Sequence, residues 1–310
     1  MPLPTFETGT ESSTLTVRRA LDEAAQAFAL PLPDGPASST PELDARVLLS
    51  TCTGWSWAFL LAHPETVLPA ELRPVWDQLV QRRGQGEPVA YLVGKKEFWG
   101  LEFQVGPGVL VPRPDTEILV EVAIRFLERF AAERLTPAPR KLRVLDVCTG
   151  SGCVAVALAH EARQRGLPCE VAATDLSPVA VQTARANVAR LVPGLVNVYQ
   201  TDLTAGLAGP WDLVVSNPPY LTTEETEQRL GPGQWKEPGL ALDGGSDGLD
   251  VLRRLIDEVV PQLMQGACLA VEAADSQMPA LSRLLAERGL RWTTTADLAG
   301  LTRVLAAELP

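Results

Sequence analysis

The stretch "VLDVCTGSGCVAVALA", residues 144–159, decides the fold class. A short apolar segment is followed by a turn with glycines at 150 and 152, and then by a longer run of small and apolar residues. This order is typical of a buried strand, a tight turn and a helix. Glycines let a backbone approach a ligand closely, and the first turn of a helix offers unpaired N–H groups to an anion. The stretch therefore predicts a nucleotide-type loop, with a plain strand-to-helix turn as the alternative.

Strand and helix patterns alternate from this stretch to the end of the sequence. We predict strands at 143–148, 170–175, 196–202, 211–217, 267–273, 291–297 and 302–309. We predict helices at 153–166, 177–191, 249–263 and 278–289. Such alternation indicates an α/β fold, a doubly wound and mostly parallel sheet with helices on both faces.

The sequence upstream of the stretch has a different texture. Residues 13–83 follow a helical pattern, in which Thr40 is expected to cap a helix that begins at Pro41. Short aromatic and β-branched runs around Gly100 predict a hairpin. We therefore expect a small all-helical substrate-docking domain at 1–88, a hairpin linker at 89–112 and a catalytic domain at 113–310.

Composition and charge limit the possible functions. The formal net charge of −11 argues against stable nucleic-acid binding, which needs a basic face. The start lacks the features of a signal peptide, and no apolar run approaches the roughly 20 residues of a membrane span. Five scattered cysteines and two histidines predict neither a disulfide framework nor a metal site. We expect a cytoplasmic monomer that does not bind membranes.

Polar residues follow the predicted strands at the edge where ligands bind in doubly wound sheets. Asp175 ends the second strand, roughly 20 residues after the glycines, where an acid commonly binds ribose hydroxyls. Ser177 and Pro178 already supply a helix cap, so we expect the Asp175 carboxylate to be free for a ligand. Asp202 and Leu203 follow the third strand and could contact the edge and face of a purine.

The fourth strand ends in "NPPY", residues 217–220, and we expect it to lie next to the first strand. The Asn217 side-chain carbonyl and the Pro218 backbone carbonyl can accept both hydrogens of a planar NH₂ group. Pro219 stiffens the turn, and Tyr220 offers a flat face to an amide or a heterocycle. Such nitrogens are weak nucleophiles, so orientation toward an electrophilic methyl group would be the main contribution to catalysis. Together with the glycine loop, this clamp predicts S-adenosylmethionine as the methyl donor.

Five segments, in this order and spacing, resemble the release-factor glutamine methyltransferase family: "GEPVAYLVGKKEFWGLEF", "LVPRPDTEILVE", "VLDVCTGSGCVAVALA", "SNPPYL" and "WKEPGLALDGGSDGLDVLRRL". The resemblance covers nearly the whole chain. It implies a seven-stranded class I methyltransferase that modifies the side-chain nitrogen (N5) of the glutamine in the Gly-Gly-Gln motif of class-1 peptide chain release factors.

The resemblance also implies roles for individual residues. The residues expected to bind substrate are Asn217, Pro218, Pro219, Tyr220 and Arg113, with Asn217 and Pro218 as the catalytic pair. The residues expected to bind cofactor are Cys148, Thr149, Gly150, Ser151, Gly152, Asp175, Asp202, Leu203 and Asn217. The family usually has glycine at Cys148, an aromatic residue near Leu203, and "EIG" where this chain has "VEAADSQ".

Three other functions remain as alternatives. An adenine-N6 methyltransferase acting on DNA or RNA would use the same clamp, but it would need a basic face. A nicotinamide-dependent dehydrogenase would explain the glycine loop, which fits G-x-G-x-x-A, but not the "NPPY" segment. A non-enzymatic binding module would bind the cofactor without transferring a methyl group.

Overall fold

The structure is a computed structural model that describes residues 14–31, 37–133, 140–230 and 237–310. These residues form two compact units, which divide between Val93 and Gly94. Parts of the predicted helical domain, residues 1–13 and 32–36, lie outside the described residues. The domain boundaries at 88/89 and 112/113 stay predictions.

The first unit is helical. Its helices are α1 (Val17–Phe28), α2 (Pro41–Thr53), α3 (Trp57–Ala62), α4 (Arg73–Gly84) and α5 (Val89–Val93). Apolar side chains spaced three or four residues apart on α1 pack against Leu48 and Leu49 of α2 and Trp76 of α4. Thr40 is the N-cap residue and Pro41 the first residue of α2, as predicted, but the Thr40 hydroxyl donates to Asp44 rather than accepting a backbone N–H.

The second unit begins with the predicted hairpin, formed by β1 (Lys95–Phe98) and β2 (Leu101–Gln104). Trp99 and Gly100 form the turn with positive φ angles of 55° and 69°. A two-residue turn of this kind matches the twist of antiparallel strands. The hairpin around Gly100 is therefore confirmed.

The second unit contains a seven-stranded sheet with the order β5-β4-β3-β6-β7-β9-β8. Its strands are β3 (Leu142–Val147), β4 (Cys169–Asp175), β5 (Val196–Gln200), β6 (Trp211–Ser216), β7 (Leu263–Glu272), β8 (Arg291–Ala296) and β9 (Thr302–Glu308). All neighbours are parallel except β7–β9 and β8–β9. The predicted fold class is thus confirmed.

Helices cover both faces of this sheet, as expected for a doubly wound fold. They are α6 (Glu117–Glu133), α7 (Cys153–Gln164), α8 (Pro178–Leu191), α9 (Thr223–Leu230), α10 (Asp250–Val259) and α11 (Met278–Glu287). Helices α6, α7 and α8 pack in the core on one face, and α10 and α11 pack in the core on the other. Alternation along the strands supplies both cores: Leu213 and Val215 belong to the first and Val214 to the second. The sequence analysis missed α5, α6 and α9.

The strand register aligns the ends of four parallel strands. Val147 pairs with Thr174 on one side and with Ser216 on the other, and Ser216 pairs with Val271. The residues that follow these four positions therefore lie along one edge of the sheet, and they are Cys148, Asp175, Asn217 and Glu272. The predicted adjacency of the first and fourth strands, here β3 and β6, is confirmed.

Candidate active site

The loop between β3 and α7 has three left-handed residues: Cys148, Gly150 and Gly152, with φ of 61°, 56° and 81°. A Cβ on Gly152 would lie 3.1 Å from the Cβ of Ala184 in α8, so glycine allows the two chain segments to approach closely. A Cβ on Gly150 would meet nothing within 4 Å, because this residue lies at the wall of a pocket. Cys148 adopts a left-handed backbone that glycine would adopt with less strain.

Asp146 on β3 braces this loop from below. It is buried, and its Oδ2 accepts from the Thr149 hydroxyl at 2.6 Å and from the Ala155 N–H at 3.1 Å. Burial raises the pKa of Asp146 to about 7, although both hydrogen bonds oppose the rise. The sequence analysis did not single out Asp146. An acid inside the apolar strand "VLDV" is the signal that could have found it.

Asp175 has a structural task at the end of β4. Its Oδ2 accepts from the Gly150 N–H and its Oδ1 from the Ser177 N–H, both at 2.9 Å. Ser177 caps α8 as predicted, since its hydroxyl accepts from the Ala180 N–H. The carboxylate thereby joins the glycine loop to α8, and the expectation that it is also free for a ligand stays a prediction. Burial raises the pKa of Asp175, and backbone hydrogen bonds oppose the rise.

Asp202 and Leu203 lie at the same pocket. The Asp202 carboxylate accepts from Arg254 at 2.7 Å. Leu203 is buried in the core beneath α10 and has a positive φ of 47°. These contacts fix the position of both residues at the pocket wall.

Asn217 follows β6 and lines the pocket beside the glycine loop. Its Nδ2 donates to the Thr116 hydroxyl at 3.0 Å, so Oδ1 is the part of this carboxamide that can accept hydrogen bonds from a ligand. Pro219 also lines the pocket, whereas Gly152, Pro218 and Tyr220 do not. The Tyr220 hydroxyl instead lies 3.3 Å from Oε1 of Glu272, at the end of β7.

The glycine-rich segment 244–248 packs against the backbone of the turn at 217–220. A Cβ on Gly244 would lie 2.7 Å from the Pro219 carbonyl oxygen, and one on Gly248 would lie 2.3 Å from the Tyr220 carbonyl oxygen. Gln277 donates to the Tyr220 carbonyl at 2.8 Å and to the Gly248 carbonyl at 3.2 Å. Only glycines permit this backbone packing, which holds the turn in one position.

Arg113 also lines the pocket, where it forms an ion pair with the buried Glu237. The other Glu237 oxygen accepts from the Val111 N–H at 2.7 Å. Glu237 thereby ties the segment before α6 to the segment before α10. The resembling stretch "WKEPGLALDGG" contains Glu237, but its Trp235 and Lys236 lie outside the described residues.

The pocket has a volume of about 1200 Å³, including its open mouth. Four aspartates, Asp146, Asp175, Asp202 and Asp243, and two arginines, Arg113 and Arg254, lie along its wall. The wall also contains Cys148, Thr149, Gly150, Ser151, Leu203, Asn217 and Pro219. The structure thus brings together most of the residues that the sequence analysis proposed. Asn217 and Gly150, in particular, line one cavity.

Two further features of the described parts of the chain concern metal ions and membranes. Those parts contain no group of three or more His, Cys, Asp or Glu side chains arranged to hold a metal ion. No helix within them has both the length and the apolar character needed to span a bilayer.

Comparison with known proteins gives matches over most of the chain. A model described as the PrmC N-terminal domain matches residues 34–94, and a methyltransferase small domain model matches residues 126–234. A release factor glutamine methyltransferase from Bradyrhizobium diazoefficiens is 40% identical over 86% of this chain and 88% of its own length. One from Koribacter versatilis is 34% identical over 96% and 99%. The chain belongs to the release factor glutamine methyltransferase family.

A solved structure of a family member is also similar. It is the release factor-specific protein-(glutamine-N5) methyltransferase from Alicyclobacillus acidocaldarius, which is 34% identical. The match covers 67% of this chain and 99% of that chain, with a TM-score of 0.38.

Proposed function

We propose that the protein transfers a methyl group from S-adenosylmethionine to the side-chain amide nitrogen of the glutamine in the Gly-Gly-Gln motif of class-1 peptide chain release factors. The observation that carries this proposal is the position of Asn217. Its carboxamide lines the same pocket as the glycine loop, with Oδ1 available as an acceptor. Membership of the family supplies the substrate.

The residues at the pocket fit this cofactor. Thr174, at the end of β4, has a buried hydroxyl without a hydrogen-bond partner at the pocket wall, where a polar ligand would satisfy it. Space is open beside Gly150. Four aspartates outnumber two arginines along the wall, and this excess of acidic groups favours the positive charges of a sulfonium and an ammonium group. We assign the amino-acid part to the loop 148–152, the ribose to Asp175, and the adenine to Asp202 and Leu203.

S-adenosylmethionine, when bound, would supply an electrophilic methyl group. The protein's own contribution is to orient a poorly nucleophilic amide nitrogen. Asn217 Oδ1 and the Pro218 carbonyl accept its two N–H groups, and this holds the nitrogen lone pair in a single direction. The acceptors also stabilise the positive charge that develops on the nitrogen before it releases one proton to solvent through the open mouth of the pocket. Because Pro218 and Tyr220 lie off the pocket wall, their contacts with the glutamine stay part of the proposal.

Selectivity for a release factor requires contacts beyond one small amide group. We assign these contacts to the helical unit, which the transfer chemistry itself does not need. Helix α3 of this unit has two exposed apolar side chains, Trp57 and Leu61, four residues apart and so on the same side of the helix. A monomeric state and a cytoplasmic location stay predictions.

A labelling experiment tests the proposal. The protein is incubated with methyl-labelled S-adenosylmethionine and, separately, with a class-1 release factor, the same factor with Gln→Ala in Gly-Gly-Gln, duplex DNA, and RNA. We expect label only in the unmodified factor, with one methyl group per molecule. Label in DNA or RNA would favour an adenine-N6 methyltransferase instead. Cofactor binding without transfer to any of these would favour the non-enzymatic alternative.

A further inference from the structure

Glu272 is a buried carboxyl group behind the clamp that the proposed chemistry does not use. It ends β7 and is only 2% exposed. Because Ser216 pairs with Val271, the residues that follow them, Asn217 and Glu272, lie side by side at the sheet edge. Oε2 of Glu272 is buried and has no hydrogen-bond partner. A buried carboxyl with an unsatisfied oxygen costs stability, so it requires an explanation.

Thr116 connects Glu272 to the clamp. The Thr116 hydroxyl is buried and accepts from Asn217 Nδ2 at 3.0 Å. It lies close enough to Glu272 to act on it, since burial raises the pKa of Glu272 to about 7 and the Thr116 hydroxyl opposes that rise. A hydroxyl has a single hydrogen to donate. When that hydrogen points at the Glu272 carboxyl, the Thr116 oxygen can only accept, and Asn217 must present its NH₂ group to it. The donors then run in one direction, from Asn217 through Thr116 to Glu272.

Other charged and polar groups around Glu272 favour the same arrangement. The Tyr220 hydroxyl approaches its Oε1, and Arg303 on the neighbouring strand β9 acts on it electrostatically. Asp115 opposes ionisation of the carboxyl but is itself paired with Arg303 at 3.2 Å. The Tyr220 hydroxyl and the positive charge of Arg303 therefore both favour the Glu272 carboxyl as a hydrogen-bond acceptor.

We propose that Thr116 and Glu272 are positioning residues, which fix the orientation of the Asn217 carboxamide so that Oδ1 faces the substrate nitrogen. The proposal rests on the clamp function assigned to Asn217. The two ends of a carboxamide have nearly the same shape, and a flipped Asn217 would present its NH₂ group to the NH₂ group of the substrate. Without an acceptor at Glu272, the Thr116 hydrogen could point at Asn217 and allow the flipped state.

Paired variants of the full-length protein test this role. Thr116→Val removes the hydroxyl with little change of shape, and Thr116→Ser keeps it. Glu272→Met removes the acceptor, and Glu272→Gln keeps one acceptor oxygen. We expect Val and Met to lower kcat on the release factor by about tenfold or more, with the dissociation constant for S-adenosylmethionine within about threefold of wild type. Thr116→Ser should restore most of kcat, and Glu272→Gln only part of it, because its amide has a donor end as well as an acceptor oxygen.

A control and a double variant separate positioning from general damage. Thr226 in α9 is also buried, has an unpartnered hydroxyl and does not line the pocket, so Thr226→Val should leave kcat unchanged. Thr116→Val combined with Glu272→Met should be no slower than the slower single variant, because both changes act on the orientation of the same Asn217 carboxamide. Multiplying effects, or a Ser variant as slow as the Val variant, would overturn the proposal.

A readout without turnover distinguishes this proposal from the proposed function. Asparagine occurs at positions 187, 197 and 217, so [¹⁵N]-asparagine labelling gives few side-chain NH₂ signals, and Asn217→Asp identifies one pair. Thr116→Val should shift the Asn217 pair and speed its hydrogen exchange. The Asn187 pair, held by the Gln104 and Ser151 carbonyls, should not move. Unchanged NH₂ signals of Asn217 in Thr116→Val would refute the positioning role even where the release factor is methylated. A changed pair supports it even where another substrate is labelled.

Discussion

Alanine substitutions at Gly150 and Gly152 should have opposite consequences. Both residues have a left-handed backbone, which costs an alanine about 1–2 kcal/mol. At Gly152 the new Cβ would also lie 3.1 Å from the Cβ and 3.3 Å from the Cα of Ala184, and such overpacking adds about 1–3 kcal/mol. Gly152→Ala should therefore destabilise the catalytic unit by about 2–5 kcal/mol, and Gly150→Ala by only about 1–2 kcal/mol.

The order reverses for cofactor binding. The Cβ of Gly150→Ala would project into open space at the pocket wall, where we place the amino-acid part of S-adenosylmethionine. Calorimetric titration should show at least tenfold weaker binding for Gly150→Ala than for Gly152→Ala measured below its Tm. Urea unfolding monitored by circular dichroism gives the stability order. Equal stabilities would refute the packing argument at Ala184, and wild-type affinity for Gly150→Ala would refute the location of the cofactor.

Three further predictions concern the clamp, the buried carboxyl and the helical unit. Asn217→Ala should reduce the rate of methyl transfer, measured by rapid quench, by roughly 10²-fold or more. Its affinity for the cofactor, measured by calorimetry, should change only slightly. Near-normal turnover would refute the proposed role of Asn217. Burial raises the pKa of Glu272 to about 7 from its ordinary 4.5, so the folded protein holds this proton more tightly than the unfolded chain does. The wild-type protein therefore loses free energy of unfolding as the pH rises from about 4.5 through 7. Relative to wild type, Glu272→Gln should thus become more stable as the pH rises from 5 to 8, by on the order of 3 kcal/mol in the free energy of unfolding, and its relative Tm should rise accordingly. A stability difference that does not depend on pH would contradict this titration. Leu61 is 64% exposed on α3, and Leu61→Ser should lower kcat/KM for the intact release factor but not for a short Gly-Gly-Gln peptide. The control Leu298→Ser, at a fully exposed side chain in the other unit, should change kcat/KM for neither substrate. Equal losses on both substrates in Leu61→Ser would show that α3 supports the fold.

The sequence predicts the parts of the site that depend on local patterns. The glycines at 150 and 152 define a turn by themselves, and parallel strands place their ends at one edge whatever the details of packing. The adjacency of the loop and Asn217 could therefore be predicted. Helix α6 could not, because "EILVEVAIRF" is rich in β-branched and apolar residues at nearly every position. Such a run does not distinguish a buried helix from a strand.

Contacts between distant segments were beyond the same reasoning. Asn217 and Thr116 are 101 positions apart, and Arg113 and Glu237 are 124 apart. The partner of each residue depends on strand register and on the path of α6, neither of which has a local signature. Asp175 has backbone contacts that its local sequence does not indicate. The sequence correctly predicts the Ser177 cap, but it does not reveal that the Asp175 carboxylate accepts two further N–H groups.

The presence of an acid at position 272 follows from the difference between stability and orientation. A neutral or apolar side chain at this position would remove the cost of a buried carboxyl whose second oxygen is unsatisfied. Stability alone therefore does not account for an acid there. Orientation does, because a glutamine side chain has a donor end as well as an acceptor end, and so leaves two arrangements open. When ionised, the Glu272 carboxylate only accepts, and it then determines the direction of the Thr116 hydrogen and, through it, which end of Asn217 faces the substrate.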